Sequence, residues 1–360
     1  MGANALRRRR IATSPVIAGL AAMALLIATP GVAWAVEPAT PMGFGTTSSI
    51  VVGVNAPDNE VWWGTQDPNS PAKVFFSFNT TPALGIPTPA LIALGRTPGA
   101  QWYGGAATAA FTTSDNPPSI NSAFGSVSWV PSAQAFHLVV TEQTQLGVVG
   151  NLTADLWFAG PAGGAGLPSI WDGQTSYWTQ AVGTGHVNGT VTFPGSTVAT
   201  TVTNWTAEQE TEYGTYQLGP GPQPAPAIHI GYDYATSYNP DGSTDTMDVF
   251  PEFDGVWRGI LTHTSAAGVT TECADPKGRL SNWYADPGGF SYPLSVELTC
   301  GTTTITWTTT PAGSQVLYNV NQTDGFALTN SAGVSSVPGS VAYMQHIRDT
   351  GYWGQTPAWG

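Results

Sequence analysis

The sequence predicts an all-β protein with two domains. Short runs of β-branched and aromatic residues recur along the chain, and Gly, Pro, Asn and Asp separate them at hairpin spacing. The chain contains 43 Gly and 29 Pro, and only 9% of its residues are charged. Its 14 Trp, 12 Tyr and 13 Phe provide aromatic surface that disordered chains lack. This composition favours a folded, β-rich, exported protein.

Residues 1–35 have the three parts of a secretory signal peptide. A basic head at Arg7–Arg10 precedes an apolar run over 16–27, and Ala33-Trp34-Ala35 provides a cleavage site. The apolar run is too short to span a membrane, and no later stretch is long enough to cross a bilayer. The mature protein is therefore expected to be secreted or extracytoplasmic, by either the general or the twin-arginine route.

The charge of the chain limits the classes of partner it can bind, and its cysteine content predicts a disulfide. Cleavage after Ala35 would remove four arginines and no acid, and change the formal net charge from −13 to −17. Such an acidic chain is not expected to bind nucleic acid or anionic membrane surfaces. Cys273 and Cys300 are the only cysteines, and in an exported protein they are expected to form a disulfide. The histidines are scattered, so neither a metal nor a cofactor is expected.

Six runs along the chain are predicted to be strands, and helices are nearly absent. The apolar run Leu91–Leu94 is the best candidate for a helical turn or two. The glycine-rich stretch 160–166 is the best candidate linker, which gives domains at 36–180 and 181–360. The predicted strands are Lys73–Phe78, Phe136–Thr141, Val187–Phe193, Ala227–Tyr234, Leu294–Thr299 and Thr303–Thr308.

No common catalytic signature occurs in the sequence. The chain has no Gly-x-Ser-x-Gly motif, no Cys nucleophile paired with His, no zinc-ligand spacing and no phosphate-binding loop. The acidic run 239–245 is similar to a calcium loop. Its Asp241-Gly242 pair favours a hairpin turn instead.

Carboxylates and aromatic residues are concentrated in the segment 204–214. On a strand, Glu208, Glu210 and Glu212 would share one face at a spacing of roughly 6–7 Å. If that face is buried, the like charges cannot all ionise, and at least one pKa rises to give a general acid. Trp205 and Tyr213 would occupy the opposite face. A solvated acidic strand edge is the alternative interpretation.

The side chains of the next predicted strand, which contains Tyr232 to Tyr234, also alternate between two faces. Tyr232 and Tyr234 would share one face, and Asp233 would lie on the other. An aromatic stripe of this kind is usually part of a core.

The order of several short motifs resembles the carotenoid 1,2-hydratase and AttH-like superfamily, which includes kievitone hydratase-like proteins and Diels–Alderase-type cyclases. Each motif is short, and the resemblance depends on their shared order over roughly residues 60 to 352. The matching segments are Glu60-Val61-Trp62-Trp63, Gly189–Gly195, Trp205, Glu210–Gly214, Gly231–Tyr234, Asp241-Gly242, Trp283, Pro287-Gly288, Tyr292-Pro293-Leu294 and Thr350-Gly351-Tyr352.

The resemblance implies two lipocalin-like antiparallel β-barrel domains in tandem. By position, it implies catalytic roles for Glu210, Tyr213, Tyr232 and Asp233. Thr211 occupies the position of a histidine in the superfamily. The substrate-binding residues that we expect are Trp205, Thr211, Tyr234 and Trp257.

Two enzyme mechanisms remain open at this point. In the first, Glu210 or a neighbouring glutamate protonates an alkene, aromatic faces stabilise the cation, and Asp233 orients water. In the second, an aromatic pocket folds an apolar polyene or polyketide-like substrate for cyclisation or isomerisation. A secreted lipocalin-like carrier of an apolar ligand is an alternative from another class, and a glycan-active enzyme is a further one. The sequence does not define an oligomeric state.

Overall fold

The computed structural model describes residues 58–79, 90–108, 110–115, 117–141, 152–163, 165–171, 174–214, 231–251, 257–274, 276–319 and 326–349. Within these ranges the regular secondary structure is entirely β-strand. The first part of the chain contains β1 (Asp58–Gln66), β2 (Lys73–Asn79), β3 (Ala90–Arg96), β4 (Trp102–Thr108), β5 (Thr112–Asp115), β6 (Pro118–Asn121), β7 (Gly125–Val130), β8 (Ala135–Val140), β9 (Thr153–Ala159), β10 (Ala165–Trp171), β11 (Gln174–Val182), β12 (His186–Thr192) and β13 (Thr200–Gly214). The second part contains β14 (Gly231–Tyr238), β15 (Thr244–Pro251), β16 (Trp257–Thr264), β17 (Thr270–Ala274), β18 (Lys277–Ala285), β19 (Ser291–Cys300), β20 (Thr303–Asn319), β21 (Phe326–Ser335) and β22 (Val341–Asp349).

The strands form two antiparallel sheets. In the first sheet the order is β4-β3-β2-β1-β13-β12-β9-β8-β7-β6-β5, and the β10–β11 hairpin pairs with β13. In the second sheet the order is β17-β16-β15-β14-β22-β21-β20-β19-β18. The predicted all-β class is confirmed, and two curled half-barrel sheets agree with tandem lipocalin-like domains.

The change from one sheet to the other falls after β13. The glycine-rich stretch 160–166, predicted as a linker, is hydrogen-bonded to the first sheet, since Gly163 N donates to Gln180 O and Gly183 N donates to Pro161 O. Strands β12 and β13 also belong to the first sheet, although they follow residue 180. The domain boundary at 180 stays a prediction.

The segment Leu91–Leu94 is a strand, and its prediction as a helical turn is wrong. Leu91 and Ala93 pack into the core of the first sheet, while Ile92 and Leu94 pack into a second apolar cluster that reaches the other sheet. A strand buried on both faces has a continuous apolar run, which hides the period of two that would identify it.

The predicted turn and disulfide are both present. Asn239 to Gly242 connects β14 to β15, with Gly242 N donating to Asn239 O and Gly242 at a φ of +83°. Cys273 and Cys300 are bonded, and both pack against the core of the second sheet. In the described ranges, no helix has the length and apolar character needed to cross a membrane.

An apolar cluster joins the two sheets. Phe75 of β2 stacks on Tyr343 of β22, with ring centroids 4.0 Å apart. Side chains from both sheets complete the cluster, and its buried members are Phe75, Ala90, Ile92, Leu94, Ala106, Tyr232, Tyr234, Leu328, Tyr343 and Ile347. The outer face of β1–β4 is therefore packed against β14, β21 and β22, and the site lies at this junction.

Candidate active site at the junction of the two sheets

Strand β13 separates its side chains between two environments. Trp205 and Ala207 pack into the core of the first sheet, and Gln209 donates a hydrogen bond to Thr211 Oγ1 on the same face at 2.8 Å. The alternate face carries Glu208 and Glu210 and meets the second sheet. This division confirms the predicted alternation, and neither glutamate is solvent-facing, with exposed fractions of 3% and 9%.

The second sheet presents tyrosines to the same junction. Tyr234 donates a short hydrogen bond to Glu208 Oε1. Tyr232 donates to Gln345 Oε1 at 2.6 Å, and Tyr343 donates to Asn330 Oδ1 at 2.5 Å. Gln345 Nε2 donates to the Tyr343 hydroxyl at 3.2 Å, which connects the two tyrosines. The hydrogen bonds fix the orientation of these rings beside the carboxylates.

A partly enclosed cavity lies between these groups. Its volume is about 20 Å³, which is enough for one or two water molecules. The first sheet contributes two aromatic rings and two glutamates, and the second sheet contributes three tyrosines, a carboxylate and an amide. The lining residues are Trp62, Phe75, Glu208, Glu210, Tyr232, Tyr234, Asp248, Tyr343 and Gln345.

Gly64 leaves room for this arrangement on β1. It is directly opposite Glu208 in the register, and Trp62 is opposite Glu210. A Cβ at Gly64 would lie 2.7 Å from the Phe75 ring and 3.4 Å from Glu208 Cγ. The ring of Phe75 therefore occupies the space that any other residue at position 64 would fill.

Glu208 has the properties of a buried general acid. Burial raises the pKa of its carboxyl group above the ordinary value, and hydrogen bonds, including that from Tyr234, offset part of the rise. Oε1 accepts the Tyr234 hydrogen bond, and Thr236 and Tyr238 are also close enough to the carboxyl group to lower its pKa. Oε2 is buried and accepts no hydrogen bond of good geometry from the described residues. In the protonated acid, Oε2 is therefore the oxygen whose proton is free to be transferred.

The tyrosines around Glu208 stay neutral. Burial, followed by the charges of Glu208 and Glu210, raises the pKa of Tyr234 and Tyr343 well above the ordinary value. Burial likewise raises the pKa of Tyr238, with the Glu208 charge adding to it. Near neutral pH these side chains are therefore hydrogen-bond donors with intact π faces, and they cannot serve as phenolate bases.

Asp233 lies in a different environment on the opposite face of β14. Its carboxylate accepts hydrogen bonds from Arg348 at 2.8 and 2.9 Å, and it is 2.5 Å from His346 Nδ1. Burial alone would raise the pKa of Asp233, but the charges of Arg348 and His346 and their hydrogen bonds hold it below its ordinary value. Asp233 is thus an ionised, fully buried partner of two basic side chains inside the second sheet.

The structure brings together only part of the predicted site. Glu210, Tyr232 and Tyr234 line the cavity. Trp205 and Thr211 lie on the opposite face of β13, and Asp233 points into the second sheet. The backbones of Tyr213 and Trp257 lie in β13 and β16, and their side chains are outside the described part of the structure.

Glu208 was among the glutamates that the sequence offered as the acid, because it shares a strand face with Glu210. Trp62 was not predicted as a site residue, although it belongs to a segment that carries the superfamily resemblance. Nothing in the sequence indicated Phe75, Asp248, Tyr343 or Gln345, because they reach the cavity only through packing of the two sheets. No group of three His, Cys, Asp or Glu among the described residues is arranged to hold a metal. The expectation of no metal stays a prediction.

No protein-family model matches the chain, and no curated protein matches it. Solved structures do match. An AttH-like protein of Nitrosomonas europaea has a TM-score of 0.56 at 16% identity, over 82% of this chain and 93% of that chain.

Two further solved structures are similar to this chain. Kievitone hydratase of Nectria haematococca has a TM-score of 0.53 at 13% identity, over 88% of this chain and 98% of that one. CghA has a TM-score of 0.54 at 8% identity, over 89% of this chain and 96% of that one. The chain therefore has the tandem lipocalin-like fold of the superfamily that its sequence resembles.

Proposed function

We propose that the protein is an enzyme that acts on an apolar, unsaturated small molecule of terpenoid or polyketide-like character, by protonating an alkene at the junction of the two sheets. One observation carries this proposal: a buried carboxyl with a raised pKa, Glu208, shares a cavity with aromatic rings from both sheets. One of the similar structures is a hydratase, kievitone hydratase, and hydration of an alkene is one outcome of this kind of reaction.

The reaction begins with proton transfer from Glu208 Oε2 to one alkene carbon, which leaves a carbocation on the other. The Glu208 carboxylate keeps the hydrogen bond from Tyr234, and that bond strengthens as the charge develops. The rings of Trp62, Phe75 and Tyr343 present π faces that stabilise the cation.

The cation then has two outcomes. In hydration, a water molecule adds to the carbon and loses its proton to Glu210 or Asp248, so that one water is added overall. In isomerisation or cyclisation, the cation loses a proton from carbon, after attack by a second double bond in the cyclising case. The carboxylates on both walls supply the base in either case. Asp233, which was expected to orient the water molecule, does not line the cavity.

The substrate has to displace side chains when it enters. A cavity of about 20 Å³ holds water only, while ligand sites for molecules of this class occupy roughly 300–1,000 Å³. Trp62 is half-buried at the cavity, and Phe75 stacks on Tyr343 across the junction. Rotation of the Trp62 and Phe75 side chains is the least costly way to enlarge the cavity, because neither side chain carries a buried charge.

Export belongs to the same proposal. The basic head, apolar run and Ala-x-Ala site within residues 1–35 support secretion. Mass determination of the protein recovered from the culture medium should give an amino terminus at Val36, and an intact Met1 terminus would contradict export by this signal.

The acid step is tested by deuterium incorporation. The purified protein is incubated in D₂O with a panel of terpenoid and polyketide-like alkenes, and the products are analysed by mass spectrometry. Hydration adds one D₂O to the substrate, while proton-initiated isomerisation or cyclisation exchanges one carbon-bound hydrogen for deuterium. Glu208→Gln should lower this incorporation by about 10²–10⁴-fold, the usual contribution of a general acid.

Glu297→Gln is the matched control, because Glu297 lies on β19 away from the cavity. It should leave incorporation unchanged. Activity should decline as the pH rises through the pKa of Glu208, since only the protonated acid reacts. Tyr234→Phe should move that decline to higher pH by removing a hydrogen bond to the carboxylate. Unchanged incorporation in Glu208→Gln would overturn the mechanism, and an unmodified apolar molecule co-purifying at one equivalent would favour the carrier.

A further inference from the structure

The chain has two lysines, and they occupy opposite environments. Lys277 is exposed on β18, whereas Lys73 on β2 is fully buried at the junction of the sheets. Lysine is almost never fully buried without a carboxylate partner. In the described part of the chain, Lys73 forms no ion pair with any carboxylate.

The surroundings of Lys73 are aromatic. Its Nζ lies 5.5 Å from the ring centroid of Tyr343 and 5.8 Å from that of Trp102, and it donates one long hydrogen bond, 3.4 Å, to Ala342 O. Arg96 is its register partner on β3 and brings a second positive charge close to it. Tyr103 donates its hydroxyl proton to Lys73 O and leaves the amine unaffected.

Burial makes this amine unusually easy to deprotonate. Loss of hydration, with a smaller contribution from the Arg96 charge, lowers the pKa of Lys73 from 10.5 to about 7. A large fraction of Lys73 is therefore the free amine at neutral pH, while an ordinary lysine is almost wholly protonated. The free amine is the nucleophilic form.

Lys73 also adjoins the cavity. Lys73 and Phe75 occupy successive positions on one face of β2, and both contact the ring of Tyr343. Phe75 and Tyr343 are themselves cavity walls. The Tyr343 ring is therefore both a wall of the cavity and a neighbour of the Lys73 amine.

We propose that Lys73 is a covalent attachment site for an apolar ligand that carries an aldehyde or ketone, which it binds as an imine. The amine nitrogen attacks the carbonyl carbon, and both amine hydrogens leave with the carbonyl oxygen as one water molecule. The product has a carbon–nitrogen double bond and is reversed by hydrolysis. Lys73 is fully buried, which limits access of bulk water to the imine, and the rings of Tyr343 and Trp102 face the nitrogen when it is protonated. The attachment does not depend on acid chemistry at Glu208.

The test is reductive trapping on the folded protein at neutral pH. The protein is incubated with octanal and cyanoborohydride, which delivers hydride to the imine carbon and fixes the adduct as a secondary amine. Peptide mapping then measures the octyl group at Lys73, at Lys277 and at the amino terminus. We expect modification at Lys73 to exceed that at Lys277 by at least about tenfold, since the free-amine fraction of an ordinary lysine at neutral pH is below roughly one in a thousand.

Three controls make the result decisive. Lys277→Arg should leave the adduct at Lys73 unchanged, and Lys73→Met should remove it. In concentrated urea, where the environment of Lys73 is lost, the two lysines should react equally. Folded protein that is modified at Lys277 or the amino terminus but not at Lys73 would overturn the proposal. Glu208→Gln should still be labelled at Lys73, so failure of alkene protonation and failure of imine formation are distinguishable.

Discussion

The buried amine of Lys73 makes a prediction about stability that does not require a ligand. In the folded protein its pKa is about 7, compared with 10.5 for the model lysine. The folded state therefore binds fewer protons than the unfolded state between these values, and the free energy of unfolding rises with pH across that window. Below pH 7 both states are protonated, and the full cost of burying the ammonium is present.

The magnitude follows from the size of the shift. A depression from 10.5 to about 7 corresponds to about 5 kcal/mol at 1.36 kcal/mol per pKa unit. Between about pH 7 and pH 9 the wild-type protein should recover about 2 kcal/mol of this cost. Lys73→Met keeps most of the side-chain volume and has no such dependence. Since the ring contacts with the ammonium offset part of the cost, we expect the variant to be more stable at pH 7 by roughly 2–4 kcal/mol.

Urea unfolding of both proteins at several pH values between 7 and 9 provides the measurement. Subtracting the two curves removes titrations that they share, including those of Glu208 and the buried tyrosines. The difference in unfolding free energy between Lys73→Met and the wild-type protein should decrease by about 2 kcal/mol from pH 7 to pH 9. A difference that does not change with pH would refute the reasoning, since it would mean that Lys73 titrates as it does in the unfolded chain.

Three other predictions concern stability and the cavity wall. Replacing Cys273 and Cys300 by serine removes a crosslink with a sequence separation of 27 and should cost roughly 3–4 kcal/mol in urea unfolding; an unchanged midpoint would contradict this. Asp233→Asn removes the buried carboxylate that accepts hydrogen bonds from Arg348 and lies beside His346, so it should destabilise by roughly 3–5 kcal/mol at neutral pH, and a loss below about 1 kcal/mol would show that the three groups are not coupled. In the wild-type protein the Asp233 contribution is present above the unfolded pKa and is lost as the pH falls through its lowered folded pKa. Gly64→Ala should push the Phe75 ring away from β1 and cost roughly 1–3 kcal/mol, with reduced deuterium incorporation; thermal unfolding and the D₂O assay check it, and wild-type values in both would show that the ring moves freely.

Alternation along single strands was predictable from the sequence. The period of two placed Glu208 and Glu210 opposite Trp205, and separated Asp233 from Tyr232 and Tyr234, as the structure has them. The same rule did not reveal which face of each strand meets the other sheet, because that depends on contacts between distant segments. Asp233 received a catalytic role from the resemblance, and its partners His346 and Arg348 are more than 100 residues away along the chain.

The residues that could not be predicted owe their environment to the packing of one sheet on the other. Nothing near Lys73 in the sequence indicates burial of its amine, since its neighbours Tyr343 and Ala342 belong to β22. Asp248 and Gln345 join the cavity for the same reason. Leu91–Leu94 was misassigned because a strand that contributes to two apolar clusters has no polar positions to mark its period.

The two faces of β13 have a consequence for how this protein can diverge. In β13, residues that pack into the core of the first sheet alternate with residues that line the cavity. Substitution of Glu208 or Glu210 therefore changes the chemistry of the cavity, while the odd-numbered neighbours preserve the core. Insertion or deletion of one residue within β13 would turn each side chain to the opposite face of the strand. The glutamates would then point into the core of the first sheet, and Trp205 would point into the junction. Homologues with new substrates are therefore expected to vary this strand by substitution and to conserve its length.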